Sequence, residues 1–341
     1  MSNAFRIIPR LDIKGPNLVK GINLEGLRVL GKPEDFARFY YESGADELIY
    51  QDVVASLYGR NSLKEMISKT AKEIFIPLTV GGGIQSLEDI LTILRSGADK
   101  VCINTAALND PNFITEAARK FGASTIVVGI EAIKQENGDY MAFTDNGRNA
   151  TNKLALDWAK ESAIRGAGEI LITCVDKEGT GDGADVDFIR EISDAINIPV
   201  VAHGGVGSND DVLELSKIEN LSGASIASLF HYNLIEANRV LEGYEEEGNT
   251  QFLQSKISPS NIKSSNIQNL KNDLQKNGVN IRFCKTQISN NKSIYGIKHL
   301  NRLDSVLARS EWQNNYFEGV FSDSRGNLIE GTMTNIFFIK N

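Results

Sequence analysis

Thr79-Val80-Gly81-Gly82-Gly83-Ile84-Gln85-Ser86 returns 122 residues later as Val201-Ala202-His203-Gly204-Gly205-Val206-Gly207-Ser208. Each copy is a short β-branched run, a glycine cluster and a serine suited to start a helix. Downstream, Gly97-Ala98 and Ile103-Asn104-Thr105 are echoed by Gly223-Ala224 and Ile226-Ala227-Ser228. Upstream, Ile8-Pro9-Arg10-Leu11-Asp12 has a looser counterpart in Val127-Val128-Gly129-Ile130-Glu131. The chain therefore reads as two similar halves, and a twofold repeat sets equivalent groups opposite one another.

Working outward, strands are predicted over 6–12, 47–52, 75–80, 100–104, 125–131, 169–174, 199–202 and 224–227. Amphipathic helices are predicted over 33–43, 86–96, 110–121, 153–165 and 210–217, with Pro33, Ser86, Asn109 and Asn209 as start residues. Eight strand–helix units in about 245 residues are the pattern of a (β/α)8 TIM barrel. A doubly wound open sheet is the weaker reading, since no GxGxxG follows the first strand. The predicted domains are a barrel over 1–247, a linker over 248–269 and a small incomplete α+β segment over 270–341. From Lys256 onward 12 Lys and Arg face 6 Asp and Glu, whereas the residues before it carry 24 against 38. The stretch 248–275 is rich in Asn, Gln, Ser and Lys and reads as loose.

Composition excludes several classes. The 341 residues are 41% hydrophobic and 23% charged, an ordinary globular balance. No apolar run is long enough to span a bilayer, and the N-terminus has no leader pattern. Cys102, Cys174 and Cys284 are too scattered for a disulfide framework or a CxxC pair, and three dispersed histidines disfavour zinc. A cytoplasmic protein with no metal, no membrane association and no nucleic-acid partner is expected. The scattered C-terminal lysines lack interleaved aromatics and read as solvated charge.

Glycine clusters between a strand and a helix let backbone N–H groups approach an anion. Gly82 and Gly83 with Asn104 and Thr105, and Gly204 and Gly205 with Ala227 and Ser228, are thus paired candidate phosphate sites. Such a pair suits a substrate phosphorylated at both ends. Asp12 and Glu131 end the first strand of each half, on the catalytic face of a barrel, and are candidates for acid and base. Lys20, Asp52 and Asp176 are further loop candidates. Arg6, Glu47, Lys100 and Glu169 begin alternate strands on the opposite face, where charges of both signs form a ring.

Those residues, with Leu11-Asp12-Ile13-Lys14, Phe75–Ile84 and Asp176-Lys177-Glu178-Gly179-Thr180, resemble the cyclase subunit of imidazole glycerol phosphate synthase over 5–245. The resemblance implies a lyase of histidine biosynthesis that needs no cofactor. It implies ammonia from a separate glutaminase in a heterodimer, an ammonia gate at Arg6, Glu47, Lys100 and Glu169, and a partner contact at Asp99. The acceptor would be a bis-phosphorylated ribulosyl aminoimidazole carboxamide nucleotide. Four positions depart from the family pattern. Glu131 replaces an Asp, Arg10 a Cys, His203 a Ser, and Gly15-Pro16-Asn17-Leu18 an Asp-Gly-Arg turn. They are also similar to a paralogous branch that passes ammonia to a nucleotide-linked sugar in surface-polysaccharide synthesis. A second resemblance covers 270–341. Gly296–Leu303, Gly326–Gly331 and Thr334–Phe337 are similar to 4-amino-4-deoxychorismate lyase, a pyridoxal-phosphate family. It implies Lys298 as the Schiff-base lysine and Glu330 as the pyridine partner, vestigial unless the segment were completed.

Overall fold

The computed structural model describes residues 5–54, 63–237 and 261–281, and the backbone of 320–322 and 328–331. The first compact unit is Met1–Ile281 and the second is Arg282–Asn341. Eight strands close the first unit's barrel: β1 (Arg6–Lys14), β4 (Leu48–Asp52), β5 (Leu78–Gly81), β6 (Lys100–Ile103), β7 (Ile126–Lys134), β10 (Glu169–Cys174), β11 (Val200–His203) and β12 (Leu221–Ile226). Each pairs with the next in parallel, and β12 returns to β1 with Arg6 opposite Gly223. The helices between them are α1 (Pro33–Glu42), α2 (Lys64–Glu73), α3 (Leu87–Arg95), α4 (Thr105–Asn109), α5 (Asn112–Phe121), α6 (Ala155–Ile164), α7 (Val186–Ala195), α8 (Asn209–Ser216) and α9 (Ser228–Glu236). The barrel expected from the repeat is present.

The repeat survives in local detail. Ser86 and Ser208 side chains both accept from the third helical N–H, Asp89 and Asp211 carboxylates accept the serine backbone N–H in return, and each pair is a complete capping box. Gly82 and Gly204 both lie near φ +105°, and a Cβ at either would strike the preceding strand's carbonyl, of Asp52 or Cys174. The first strand of each half also carries a hairpin that sequence periodicity did not separate. β2 (Asn17–Ile22) and β3 (Glu25–Gly31) extend β1, while β8 (Tyr140–Thr144) and β9 (Asn149–Leu154) extend β7. The two-residue turn Asn23-Leu24 has both residues at positive φ, as a type I′ turn needs. Leucine is unfavourable there, and three contacts hold it: its side chain is buried, its N–H donates to Glu178 and its C=O accepts from Asn146.

Along the lumen, inward positions recur every second residue. The lowest layer is charged: Arg6, Glu47, Lys100 and Glu169. Above it lies an apolar cluster of Ile8, Ile49, Cys102, Val127, Leu171 and Val201. Two residues further on stand Arg10, Gln51, Asn104 and Thr173, which line the mouth.

The expected linker over 248–269 and the domain edge at 247 need correction. Residues 261–281 belong to the barrel unit. Helix α10 (Ile267–Lys276) buries Ile267, Leu270, Lys271 and Leu274, and Lys271 forms an ion pair with Asp46 at 2.6 Å. Asn280 O accepts the N–H of Phe5, and Lys263 N–H reaches Gly207 O. Its single apolar stripe is surrounded by Asn, Gln and Lys, so average composition hides it. In the second unit β13 (Val320–Ser322) pairs antiparallel with β14 (Leu328–Gly331). Lys298 lies outside the described residues, and Glu330 is described only as a backbone position in β14. No described helix is long and apolar enough to cross a membrane. No group of three metal-ligating side chains occurs among the described residues.

Candidate active site

The mouth of the barrel holds a cavity of about 370 Å³. Its wall includes Asp52, Gly82, Gly83, Asn104, Thr105 and Glu131, all from the first half-barrel or the start of the second. The predicted first phosphate cluster and two predicted carboxylates, Asp52 and Glu131, are therefore brought together around open space. Gly82 and Gly83 are partly exposed, and the Thr105 hydroxyl already orders the facing β8–β9 turn by accepting from Asp145 N.

Glu131 lies within β7, opposite Thr173 of β10, and accepts the Gly147 N–H at 2.8 Å. Burial raises its pKa to about 7, against the lowering effects of the Gly147 N–H, Arg10 and Asn104. A carboxyl poised near neutrality can both give and take a proton. Asp12, from β1, is buried beside Arg10, whose Nε donates to it at 2.8 Å. Arg10 also crosses to Thr173 Oγ1 on β10 at 3.2 Å. Its own burial disfavours the charge, and Asp12, Glu178 and Glu131 outweigh that and hold it protonated.

The second half is arranged differently. Gly204, Gly205, Ala227 and Ser228 are buried and do not line the cavity. Lys20 is buried too, in an ion pair with Glu178 and a hydrogen bond to Gly21 O. Burial would raise the Glu178 carboxyl, but Lys20 and His203 together hold it well below the usual carboxylate range. His203 donates its Nδ1–H to Ser225 O at 2.9 Å, and its Nε2 lies 3.7 Å from Glu178. Buried Asp176 Oδ1, His203 Nε2 and Ser225 Oγ have no hydrogen-bond partner among the described residues. Orphaned polar atoms of this kind call for water or a ligand. Sequence reasoning passed over Glu178, although its place two residues after Asp176 in a strand-end loop was a usable signal.

On the opposite face the four charged residues form one closed ring. Arg6 Nη1 contacts Glu47 at 2.5 Å and Glu169 at 3.1 Å, and Lys100 Nζ contacts the same two carboxylates at 3.1 and 3.2 Å. Burial opposes the charge on Arg6, but Glu169 and Glu47 raise its pKa further. Asp99 is exposed on this rim and accepts the Leu78 N–H at 2.8 Å.

Residues 6–236 match the histidine biosynthesis protein family, and residues 247–341 match class IV aminotransferases. The Legionella pneumophila imidazole glycerol phosphate synthase subunit HisF is 53% identical over 211 residues, 62% of this chain and 99% of that protein. The HisF subunit of Alkaliphilus metalliredigens is 43% identical over 241 residues, 71% of this chain and 96% of that protein. With the closed barrel, its doubled glycine clusters and a family match spanning most of its length, the chain belongs to the histidine biosynthesis family that contains the HisF subunits of imidazole glycerol phosphate synthase.

Proposed function

We propose that the barrel is an ammonia-dependent lyase, the cyclase subunit that forms imidazole glycerol phosphate and an aminoimidazole carboxamide ribotide. The observation that carries the reading is the single axis joining ring, apolar layer and mouth. Ammonia supplied by a glutaminase docked on the Arg6–Glu47–Lys100–Glu169 face, near Asp99, would pass the ring. Neutral ammonia crosses the apolar layer at lower cost than ammonium. It then meets the acceptor beside Glu131 and Asp12.

Gly82, Gly83 and Thr105 hold one substrate phosphate, with backbone N–H groups as donors. Gly204, Gly205, Ala227 and Ser228 hold the other once the β2–β3 hairpin swings away and frees Lys20. Asp176 Oδ1 and His203 Nε2, buried without a hydrogen-bond partner among the described residues, support a ligand on this side. Glu131 shuttles protons, and Asp12 orients the acceptor through Arg10. Pyridoxal phosphate, implied only for residues 270–341, enters none of these steps. Arg10 and Glu131 also favour a second reading, in which ammonia is delivered to a nucleotide-linked sugar.

The test is turnover of the bis-phosphorylated ribulosyl substrate by the purified chain in ammonium salt at alkaline pH. Formation of imidazole glycerol phosphate is expected. Its absence, with turnover of a nucleotide-linked keto sugar instead, would select the second reading.

A further inference from the structure

Arg10 is the residue whose surroundings the phosphate sites, the ring and the carboxylates leave unexplained. It stands two positions above Ile8 of the apolar layer and spans the lumen from β1 to β10. The cavity reaches down past it to Cys102 and Leu171 of that layer. Ammonia leaving the lumen therefore emerges against the guanidinium. Nε is used on Asp12 and one Nη1 hydrogen on Thr173, while the remaining N–H donors make no hydrogen bond to a described residue. Arg10 lines the cavity, is only 3% exposed and is held ionised, so its spare donors stand at the cavity wall in a site of low dielectric.

A fixed cation at that point stabilises negative charge that develops on an oxygen during reaction. We propose that Arg10 is a catalytic oxyanion donor: it receives the oxygen of the acceptor carbonyl while ammonia adds to the carbonyl carbon. This rests on the reading of the acceptor as a ribulosyl ketone. The nitrogen lone pair forms the new C–N bond, and the C=O π pair moves onto oxygen, which the guanidinium holds. Glu131 takes a proton from the new ammonium nitrogen and returns it to that oxygen, giving a neutral carbinolamine. The carbinolamine loses water, its hydroxyl leaving with one N–H proton, and an imine remains. No oxidant or second reactant is needed. Asp12 and Thr173 serve as the clamps that keep the fork across the lumen.

The experiment measures ammonia-dependent kcat and KM on the ribulosyl substrate for wild type, Arg10→Gln, Arg10→Lys and Arg10→Ala, with a melting temperature for each. Loss of an oxyanion donor lowers kcat by about 10²–10³ and leaves KM within about threefold, so Arg10→Gln should show that split. Arg10→Lys keeps a cation beside Asp12, folds as wild type, and should still lose kcat by about tenfold for want of the planar fork. Added guanidinium should restore kcat to Arg10→Ala in a saturable way. Near-wild-type kcat in any folded variant would overturn the inference while leaving the barrel's activity in place. No turnover by the wild type would overturn both together.

Discussion

Lys20 and Glu178 form an ion pair in which both side chains are 1% exposed, and it ties the β2–β3 hairpin to the loop after β10. The hairpin tip adds the Asn23 and Leu24 N–H groups, which donate to the Glu178 carbonyl and carboxylate. Breaking one partner of a buried pair strands the other charge and costs about 3–5 kcal/mol. Glu178→Gln should therefore lower the melting temperature and speed hydrogen exchange over residues 17–31. Lys20→Met with Glu178→Leu should recover part of the loss. Because Glu178 is held below its ordinary pKa, its contribution is full above that ordinary value. It fades as pH falls toward the depressed one, so acid should loosen the hairpin.

Glu131 has its pKa raised to about 7, so its two protonation states exchange in the neutral range. The pH profile of ammonia-dependent kcat/KM should bend near pH 7. Glu131→Gln should remove that bend and lower turnover by about 10²–10⁴, as loss of general acid–base catalysis does. Glu131→Asp withdraws the carboxyl by one methylene, and a misplacement of about 1 Å costs on the order of 100-fold. A profile unchanged in Glu131→Gln would remove this residue from the chemistry.

The ring on the opposite face predicts a different phenotype. Arg6 bridges Glu47 and Glu169, so Arg6→Ala opens the ring without touching the mouth. Turnover driven by free ammonium should stay within about threefold of wild type. With a glutaminase partner bound, more glutamine should be hydrolysed per product formed. Equal losses with both nitrogen sources would assign the ring to stability alone.

His231 is fully buried, stacked on Tyr40 and hydrogen-bonded to its hydroxyl at 2.6 Å. Burial, with Lys20 nearby, lowers its pKa from 6.5 to about 3. Below pH 6.5 the unfolded chain takes up a proton that the folded chain refuses, so stability falls from pH 6.5 toward pH 3. The full effect is on the order of 5 kcal/mol. Denaturant titrations at pH 7 and pH 5 should show it, and His231→Phe should flatten the difference.

Helix α10 closes the barrel unit through the buried Lys271–Asp46 pair, and Asp46 also accepts the Ile7 N–H at 2.7 Å. A chain ended after Ile281 should melt as the barrel does in the full chain. One ended before residue 261 should melt lower. Lys271→Ala leaves Asp46 uncompensated and should cost about 3–5 kcal/mol by denaturant titration.

Much of this protein was legible locally. The doubled Gly82-Gly83 and Gly204-Gly205 clusters, each with its serine cap, marked the strand-to-helix turns. Such turns are dictated by φ and by capping over a few residues. Arg6 at the start of the first strand and Asp12 at its end were likewise assigned to opposite faces of the barrel. The hairpins after β1 and β7 were not legible, because the positive φ of Leu24 is held by burial and by Glu178 and Asn146, which are distant in sequence. Helix α10 was hidden because its lysine is buried only where Asp46 meets it.

The eight-unit barrel, its twofold repeat and the two faces that carry chemistry follow from local pattern, since periodicity and glycine placement act within each unit. The difference between the equivalent halves arises from long-range packing. That packing left Gly82 and Thr105 beside an open cavity, buried Gly204 and Ser228 away from it, paired Lys20 with Glu178, and drew Arg10 across the lumen between Asp12 and Thr173. Those outcomes depend on which charges meet across strands distant in sequence. No local pattern specifies such pairings, because burial makes them costly until every partner is in place.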